Sequence, residues 1–297
     1  MPDRIVTATA EDGSFSLVAG VTTDLVRETR RRHDLAPTAS AAVGRLLTGA
    51  ALLGASLKGK EKLTLQIASD GPLRGIVADV QLNGPGEIGA RAYARRPNVD
   101  VPLNERGKFD VGRAVGKGYL QVTRSFEVGQ PYVGIVDLRS GEIGDDIAGY
   151  LMNSEQIPSV VALGVLANPG GIKAAGGIVA QVLPGADERT IERLEARAHA
   201  MPPVTTLIDD GATPERLVAA LAGELAVRYT RAYDVAFTCT CSRERVERAL
   251  LGLGREELEK IAREEPQTEA VCEFCKTAYV LSRDEVLGLV ERLEARR

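Results

Sequence analysis

Cysteine occurs at four positions only, Cys239, Cys241, Cys272 and Cys275. They form a C-x-C pair, 30 intervening residues and a C-x-x-C pair, all within the last quarter of a 297-residue chain. Cysteines serving the core or surface at random would scatter. Two close pairs instead require the chain to fold back so that four sulfurs meet at one tetrahedral centre, for which zinc is the fitting ion. The C-x-x-C spacing lets one tight turn present two thiolates about 2.3 Å from such an ion, and C-x-C, less common, brings two more within reach. The ion would close the intervening loop and stabilise a tail that has few large apolar residues, a contribution of roughly 10–16 kcal/mol in structural zinc sites.

Three uses of such a quartet stay open on spacing alone. A plain structural zinc finger is the simplest. A redox switch is the second, because metal-held sulfurs are thiolates, the form that oxidants attack. Cysteines three apart in a turn can approach the Cα separation of about 5.5 Å that suits a disulfide, whereas two apart is tighter. An iron–sulfur site is the third and has least support.

Composition removes several classes of function. Net charge is −4, with 37 basic and 41 acidic residues well mixed. Residues 231–297 carry 12 basic and 14 acidic side chains, so a nucleic-acid zinc ribbon lacks the basic face that phosphate binding needs. The N-terminus has no apolar h-region of a secretory signal, and the most apolar stretch, Ala41 to Leu57, is interrupted by Arg45 and too short to span a bilayer. The expectation is a cytoplasmic protein with no membrane partner, in a compartment that disfavours permanent disulfides. Trp is absent, aromatics are 4% and Gly numbers 31, so the core must be packed from small aliphatic side chains.

The periodicity predicts an α+β chain. Strand-like runs Ile5–Ala10 and Ser14–Gly20 flank Asp12-Gly13, a hairpin signal. Thr22 or Thr23 opens a helix to Arg32, and Pro37 opens a second, buried one to about Ser56. Strands follow at Leu63–Ala68, Arg74–Leu82, Ile88–Ala94, Lys117–Phe126 and Tyr132–Leu138, a helix at Glu142–Met152, and strands at Val160–Leu166 and Ile172–Val182. Strands and helices do not alternate strictly, which favours antiparallel-rich sheets over a doubly wound fold.

The pattern changes at Leu183-Pro184-Gly185. Asp187–Ala200 is helical, with Ile191 and Leu194 as its only large apolar residues, and Thr213-Pro214-Glu215 restarts a helix after Met201-Pro202-Pro203. Such narrow apolar stripes depend on docking to neighbours. The chain therefore divides into an N-terminal α+β domain (1–183), a helical linker (184–226) and a small C-terminal zinc-binding unit (227–297). The last contains a strand at Arg228–Thr238, a helix capped by Ser242, a short helix at Glu256–Arg263, a hairpin at Thr268–Val280 carrying Cys272 and Cys275, and a helix capped by Ser282.

Other constellations carry little chemistry. His33 and His199 stand in no catalytic motif. Gly112 to Gly118 echoes a phosphate loop but is one residue short between glycines and lacks the following Ser or Thr, so it reads as a strand-entry turn. Asp145-Asp146 reads as a solvated first helical turn. No acid–base pair emerges, and the chain is not expected to be an enzyme; an enzyme in the N-terminal domain would rest only on its size and glycine-rich turns.

Phe237-x-Cys239-x-Cys241-Ser242-x-Glu244-Arg245, followed by Val271-Cys272-Glu273-Phe274-Cys275 and Tyr279, closely resembles the zinc motif of the bacterial redox-regulated 33-kDa heat-shock protein family. Leu63–Ile67 with Asp70–Arg74, Ser154–Ser159 and Gly177–Ala186 resemble further stretches of that family in order. The resemblance implies an ATP-independent holdase. On that resemblance the reduced, zinc-bound form is expected to be inactive, oxidation to make disulfides within the two pairs, Cys239–Cys241 and Cys272–Cys275, and zinc release to unfold the tail and linker so that a homodimer binds unfolding client proteins. A constitutive zinc-finger protein acting on RNA or ribosomes is the alternative.

Overall fold

The computed structural model describes residues 2–168 and 170–294. They form two compact units, Met1–Thr238 and Cys239–Arg297. In chain order the first contains β1 (Arg4–Ala10), β2 (Phe15–Val21), α1 (Thr23–His33), α2 (Pro37–Gly54), β3 (Lys62–Ser69), β4 (Ile76–Gly84), β5 (Glu87–Ala94), α3 (Val111–Val115), β6 (Gly118–Ser125), β7 (Tyr132–Asp137), α4 (Gly144–Asn153), β8 (Ser159–Asn168), β9 (Gly171–Val182), α5 (Glu188–Ala200), α6 (Val204–Asp209), α7 (Pro214–Ala222) and β10 (Val227–Phe237). The second contains α8 (Arg243–Leu251), α9 (Arg255–Glu264), β11 (Gln267–Val271), β12 (Ala278–Ser282) and α10 (Arg283–Glu294). The α+β expectation holds.

Unit 1 is built on one ten-stranded sheet ordered β7-β6-β3-β4-β5-β10-β1-β2-β9-β8. The hairpin predicted around Asp12-Gly13 pairs β1 with β2, Arg4 opposite Val21. Helix α2 is buried along nearly its whole length, because its Ala, Gly and Leu residues leave no bulk to hold the sheet away. A methyl added at Gly44 would come within 2.8 Å of both Val26 and Val165. The small-aliphatic composition is thus a packing requirement of this helix.

Strand β10 departs from the sequence-derived division. It pairs antiparallel with β1 and parallel with β5, and its last residue, Phe237, lies under the Arg32 guanidinium, 4.5 Å from ring centroid to Cζ. The boundary therefore falls at Cys239 rather than at 227. Its alternating residues show a strand but not a partner, and only the long-range ladder assigns it to the large sheet.

The predicted linker helices lie within unit 1. The sheet patch β1-β2-β9 is apolar on both faces. One face joins the α2 core, while the other presents Val6, Ala8, Phe15, Leu17, Ala19, Ile178 and Ala180 to Leu194, Val204, Leu217, Val218 and Leu221 of α5–α7. Leu194 is the single buried residue of α5, whereas α7 buries five residues. Docking thus supplies the stability that the narrow stripe of α5 cannot. Helices α3 and α6 were too short for periodicity to reveal.

Two buried carboxylates gather backbone N–H groups, Asp146 from the turn before its own helix and Asp3 from a distant one. Asp146, expected to be solvated, is 1% exposed. Its Oδ1 accepts the Arg139, Ser140 and Gly141 N–H groups at 2.7, 3.1 and 3.3 Å, and its Oδ2 accepts that of Ile143 at 2.8 Å. It closes the turn that enters α4, where buried Ile143 takes a φ of 74°. Asp3 caps α1 from outside the helix, accepting Asp24 N–H at 3.0 Å and Leu25 N–H at 2.6 Å, since Thr22 makes no side-chain cap. Burial raises the Asp3 carboxyl to about 6, only partly offset by those backbone donors.

A folded-state pKa above the unfolded one means that Asp3 favours folding at acid pH, a contribution lost as pH rises through about 6. Asp3→Asn removes this titration. Urea unfolding of unit 1 at pH 4 and pH 7 should show the variant gaining on the parent by up to about 3 kcal/mol over that range. A pH-independent difference would contradict the assignment.

Candidate metal centre

Each cysteine pair is shaped by its own local element. Cys239 and Cys241 lie between the end of β10 and the start of α8. Ser242 caps α8, its Oγ accepting Arg245 N–H at 3.3 Å, and the Arg245 guanidinium reaches back to the Thr240 carbonyl at 2.8 Å. The C-x-C segment is thereby tied to the helix that follows it. The other pair sits in the turn between β11 and β12, which are paired from Gln267 opposite Ser282 to Val271 opposite Ala278.

In that turn Cys272 N–H donates to Thr277 O at 3.0 Å and Lys276 N–H donates to Cys272 O at 2.8 Å. Lys276 takes φ 59°, a left-handed conformation that lets the chain double back beneath two sulfurs. The Cys272 sulfur accepts backbone N–H groups of Phe274 and Cys275, and the Cys275 sulfur that of Thr277. Beyond the turn, Ser282 and Glu285 exchange hydrogen bonds, Glu285 N–H to Ser282 Oγ at 3.3 Å and Ser282 N–H to the Glu285 carboxylate at 2.7 Å. This capping box starts α10 at the predicted cap.

The four sulfurs all lie within 4.8 Å of one another. Cys239 and Cys272 are 3.7 Å apart, and Cys241 and Cys275 3.3 Å. Four thiolates at about 2.3 Å from a common ion would be separated by about 3.8 Å, so the quartet fits a tetrahedral ion with small adjustments. Cys275 is buried and the other three are half-buried. All four residues chosen from the sequence converge here.

The surroundings push two of the thiols in opposite directions. Burial raises the Cys275 thiol, but donors from Thr277, Cys241 and Cys272 outweigh it and hold the group at about 6. Cys241 is pushed up to about 12, burial again being the largest cause.

Of two further neighbours of the sulfurs, Tyr279 entered the sequence reading only as part of the family resemblance and Thr277 not at all. Tyr279, on β12, donates its hydroxyl to Cys241 Sγ at 3.1 Å, and Thr277 Oγ1 lies 3.2 Å from Cys275 Sγ. The Cys241 contact and burial raise the Tyr279 phenol to about 12. Apart from that resemblance their sequence signal is position, two and four residues beyond Cys275 in a predicted hairpin.

The remaining sequence candidates stay apart from chemistry. His199 is exposed on α5, its Nδ1 2.8 Å from Glu195 O. The Gly112–Gly118 segment forms α3 and the entry to β6, with Gly116 at φ 78°. No described helix is long and apolar enough to cross a membrane.

Comparison with known proteins agrees with this architecture. Residues 3–282 match the family profile described as Hsp33 protein. The 33 kDa chaperonin of Bacillus subtilis (strain 168) is 45% identical over 97% of this chain and 98% of its own length. The 33 kDa chaperonin of Bacillus cereus (strain AH187) is 43% identical over 99% and 100%. The crystal structure of the 33 kDa chaperonin, a heat shock protein 33 homolog, from Thermotoga maritima superposes with a TM-score of 0.90 at 35% identity, covering 99% of this chain and 100% of that one. The matches run nearly the full length of both chains, and the class they define is a molecular chaperone. The chain belongs to the Hsp33 family.

Proposed function

We propose that this chaperone is an ATP-independent holdase without enzymatic turnover, gated by oxidation of its cysteine quartet. Cys239, Cys241, Cys272 and Cys275 would hold one zinc ion. That ion would supply a cross-link between the two halves of unit 2 and keep the four sulfurs ionised. Unit 2 has its own core in Leu251, Leu258, Ala262, Leu281, Val286, Leu289 and Val290. A core of that size leaves a unit this small marginal without a further staple.

Oxidation within each pair, Cys239 with Cys241 and Cys272 with Cys275, converts four ligands into two disulfides and ends metal binding. The client surface we assign to the face that α5–α7 cover. The observation carrying this reading is an apolar sheet patch, centred on Phe15, Leu17 and Ile178, hidden beneath helices of which the first buries one residue. A helix held by so little, α5, is the first to open, and the face that α5–α7 cover is apolar enough to retain an unfolding polypeptide. Strand β10 joins α7 directly to Cys239, so disorder in the metal unit begins where the strand that follows the linker ends. The resemblance further supports action in the cytoplasm and a homodimeric active form.

The test is suppression of aggregation of a heat-unfolding client by the reduced and the peroxide-oxidised protein. Suppression by the oxidised form alone, reversed by a dithiol reductant with zinc, is the expected result. Equal suppression by both forms removes the gate.

A further inference from the structure

We propose that the free edge of β8 is a strand-addition site, which takes an extended apolar segment of an unfolded polypeptide as a further strand of the large sheet. The proposal takes only the kind of partner from the chaperone reading above. It requires neither oxidation nor the departure of α5–α7.

Strand β8 ends the ten-stranded sheet, and among the described residues no strand pairs with its outer side. Two carbonyls fix which groups point outward. A Cβ built on Gly177 of β9 would lie 2.8 Å from Ala162 O, so that carbonyl faces the sheet. One built on Gly144, at the start of α4, would lie 3.3 Å from Val161 O, so that carbonyl faces away from β9. Hydrogen-bonding direction alternates along a strand, and the N–H and C=O of one residue point the same way. Leu163 and Val165 therefore present their N–H and C=O groups to the free edge. Such a row is a template for another backbone.

The edge carries neither charge nor proline, the usual guards against pairing, anywhere in Ser159–Asn168. A trough of about 860 Å³ runs along it, with all of Ala162–Asn168 in its lining. One wall contains Val101, Leu103 and Phe109, and the other Met201, Pro202 and Val204. Val101 and Phe109 pack on the α2 core, whereas Met201 and Val204 belong to the layer on the opposite sheet face. The two layers that sandwich the sheet thus overhang its last strand. A strand laid between them opposite 162–168 would extend about 23 Å and turn successive side chains to opposite walls.

The occupant follows from these features. Backbone pairing is open to every unfolded chain whatever its sequence, and apolar walls on both sides penalise charged segments. One short trough with so few backbone partners holds a chain weakly, so an edge that is open in the reduced protein is compatible with poor retention of clients by that form.

The experiment uses full-length, reduced protein and a dye-labelled probe peptide of alternating valines and alanines with a lysine at each end. Fluorescence anisotropy reads binding, and NMR reads amide exchange with and without the peptide. The parent should bind the probe, with exchange slowed at Leu163 and Val165. A probe N-methylated at two successive central residues, which blocks both edges of its strand, should bind about 10-fold more weakly. So should Leu163→Pro, which removes an outward donor and spares the β9 ladder, and Leu103→Asp, at a wall residue 56% exposed. Should Leu163→Pro disturb exchange in β9, Leu103→Asp and the N-methylated probe decide. Equal affinity for the N-methylated probe overturns the proposal. So does absence of binding by the parent, or protection on β1-β2-β9 without protection at Leu163 and Val165. Slow exchange at those two amides in protein alone, lost on dilution, assigns the edge to a second copy of the chain and overturns it too. No oxidant enters these measurements, so failure of the oxidation gate leaves them standing, and failure of the edge leaves the gate standing.

Discussion

Stripping the metal from reduced protein with a strong chelator is expected to unfold residues 239–294 while leaving the ten-stranded sheet intact. The ion would join two segments that otherwise meet through hydrogen bonds, the Arg243–Glu285 and Arg292–Glu247 ion pairs and an apolar core of seven buried residues. Structural zinc contributes roughly 10–16 kcal/mol, more than the whole stability of most domains, about 5–15 kcal/mol. Hydrogen exchange should show protection lost throughout α8–α10 and the β11–β12 hairpin, with partial loss in α5–α7. Substituting Cys239 and Cys241 together by Ser should reproduce the pattern without chelator. Undiminished protection in 239–294 would mean that Leu258, Leu281 and their neighbours suffice, and that the quartet is not the staple.

The second large effect is expected from Leu217→Asp. Leu217 is 0% exposed and lies in the layer between α7 and the β1-β2-β9 face. Truncating a buried Leu to Ala costs about 2–5 kcal/mol, and placing a carboxylate there adds the penalty of an unpaired buried charge. Helices α5–α7 should leave the sheet in reduced, metal-loaded protein, which would then suppress client aggregation without oxidant. Exchange protection retained in α2 and β3–β6 would establish that unit 1 is otherwise folded, because the α2 core lies on the opposite sheet face. Undocked helices with no gain in suppression would show that clients bind elsewhere.

Much of this architecture is written locally. The strand-helix order through residue 182, the short α3 apart, the caps at Ser242 and Ser282 and the turn bearing Cys272 and Cys275 follow from periodicity and short-range hydrogen bonding. So does the convergence of the four cysteines, because thiolates in two close pairs have few other uses.

What was not legible depends on distant partners. The alternation of Val227–Phe237 specifies a strand, but its place between β1 and β5 depends on ladders to residues 4–10 and 87–90. Asp146 lies in an acidic pair that suits a solvated helix start, and only the turn formed by 139–143 converts it into a buried acceptor of four N–H groups. Asp3 caps a helix that begins 20 residues later. Tyr279 stands in the motif resemblance, but what it touches appears only when the hairpin carries its hydroxyl to Cys241. The linker helices look self-insufficient in sequence, and they are, but their partner is the sheet's own second face.

X-ray absorption at the zinc edge of freshly purified, fully reduced protein, with metal content measured on the same sample, tests the central claim most directly. One zinc per chain with four sulfur neighbours at about 2.3 Å is the expected result. A metal-free sample that is folded throughout 239–294, or bound zinc with oxygen and nitrogen neighbours in place of sulfur, would contradict it.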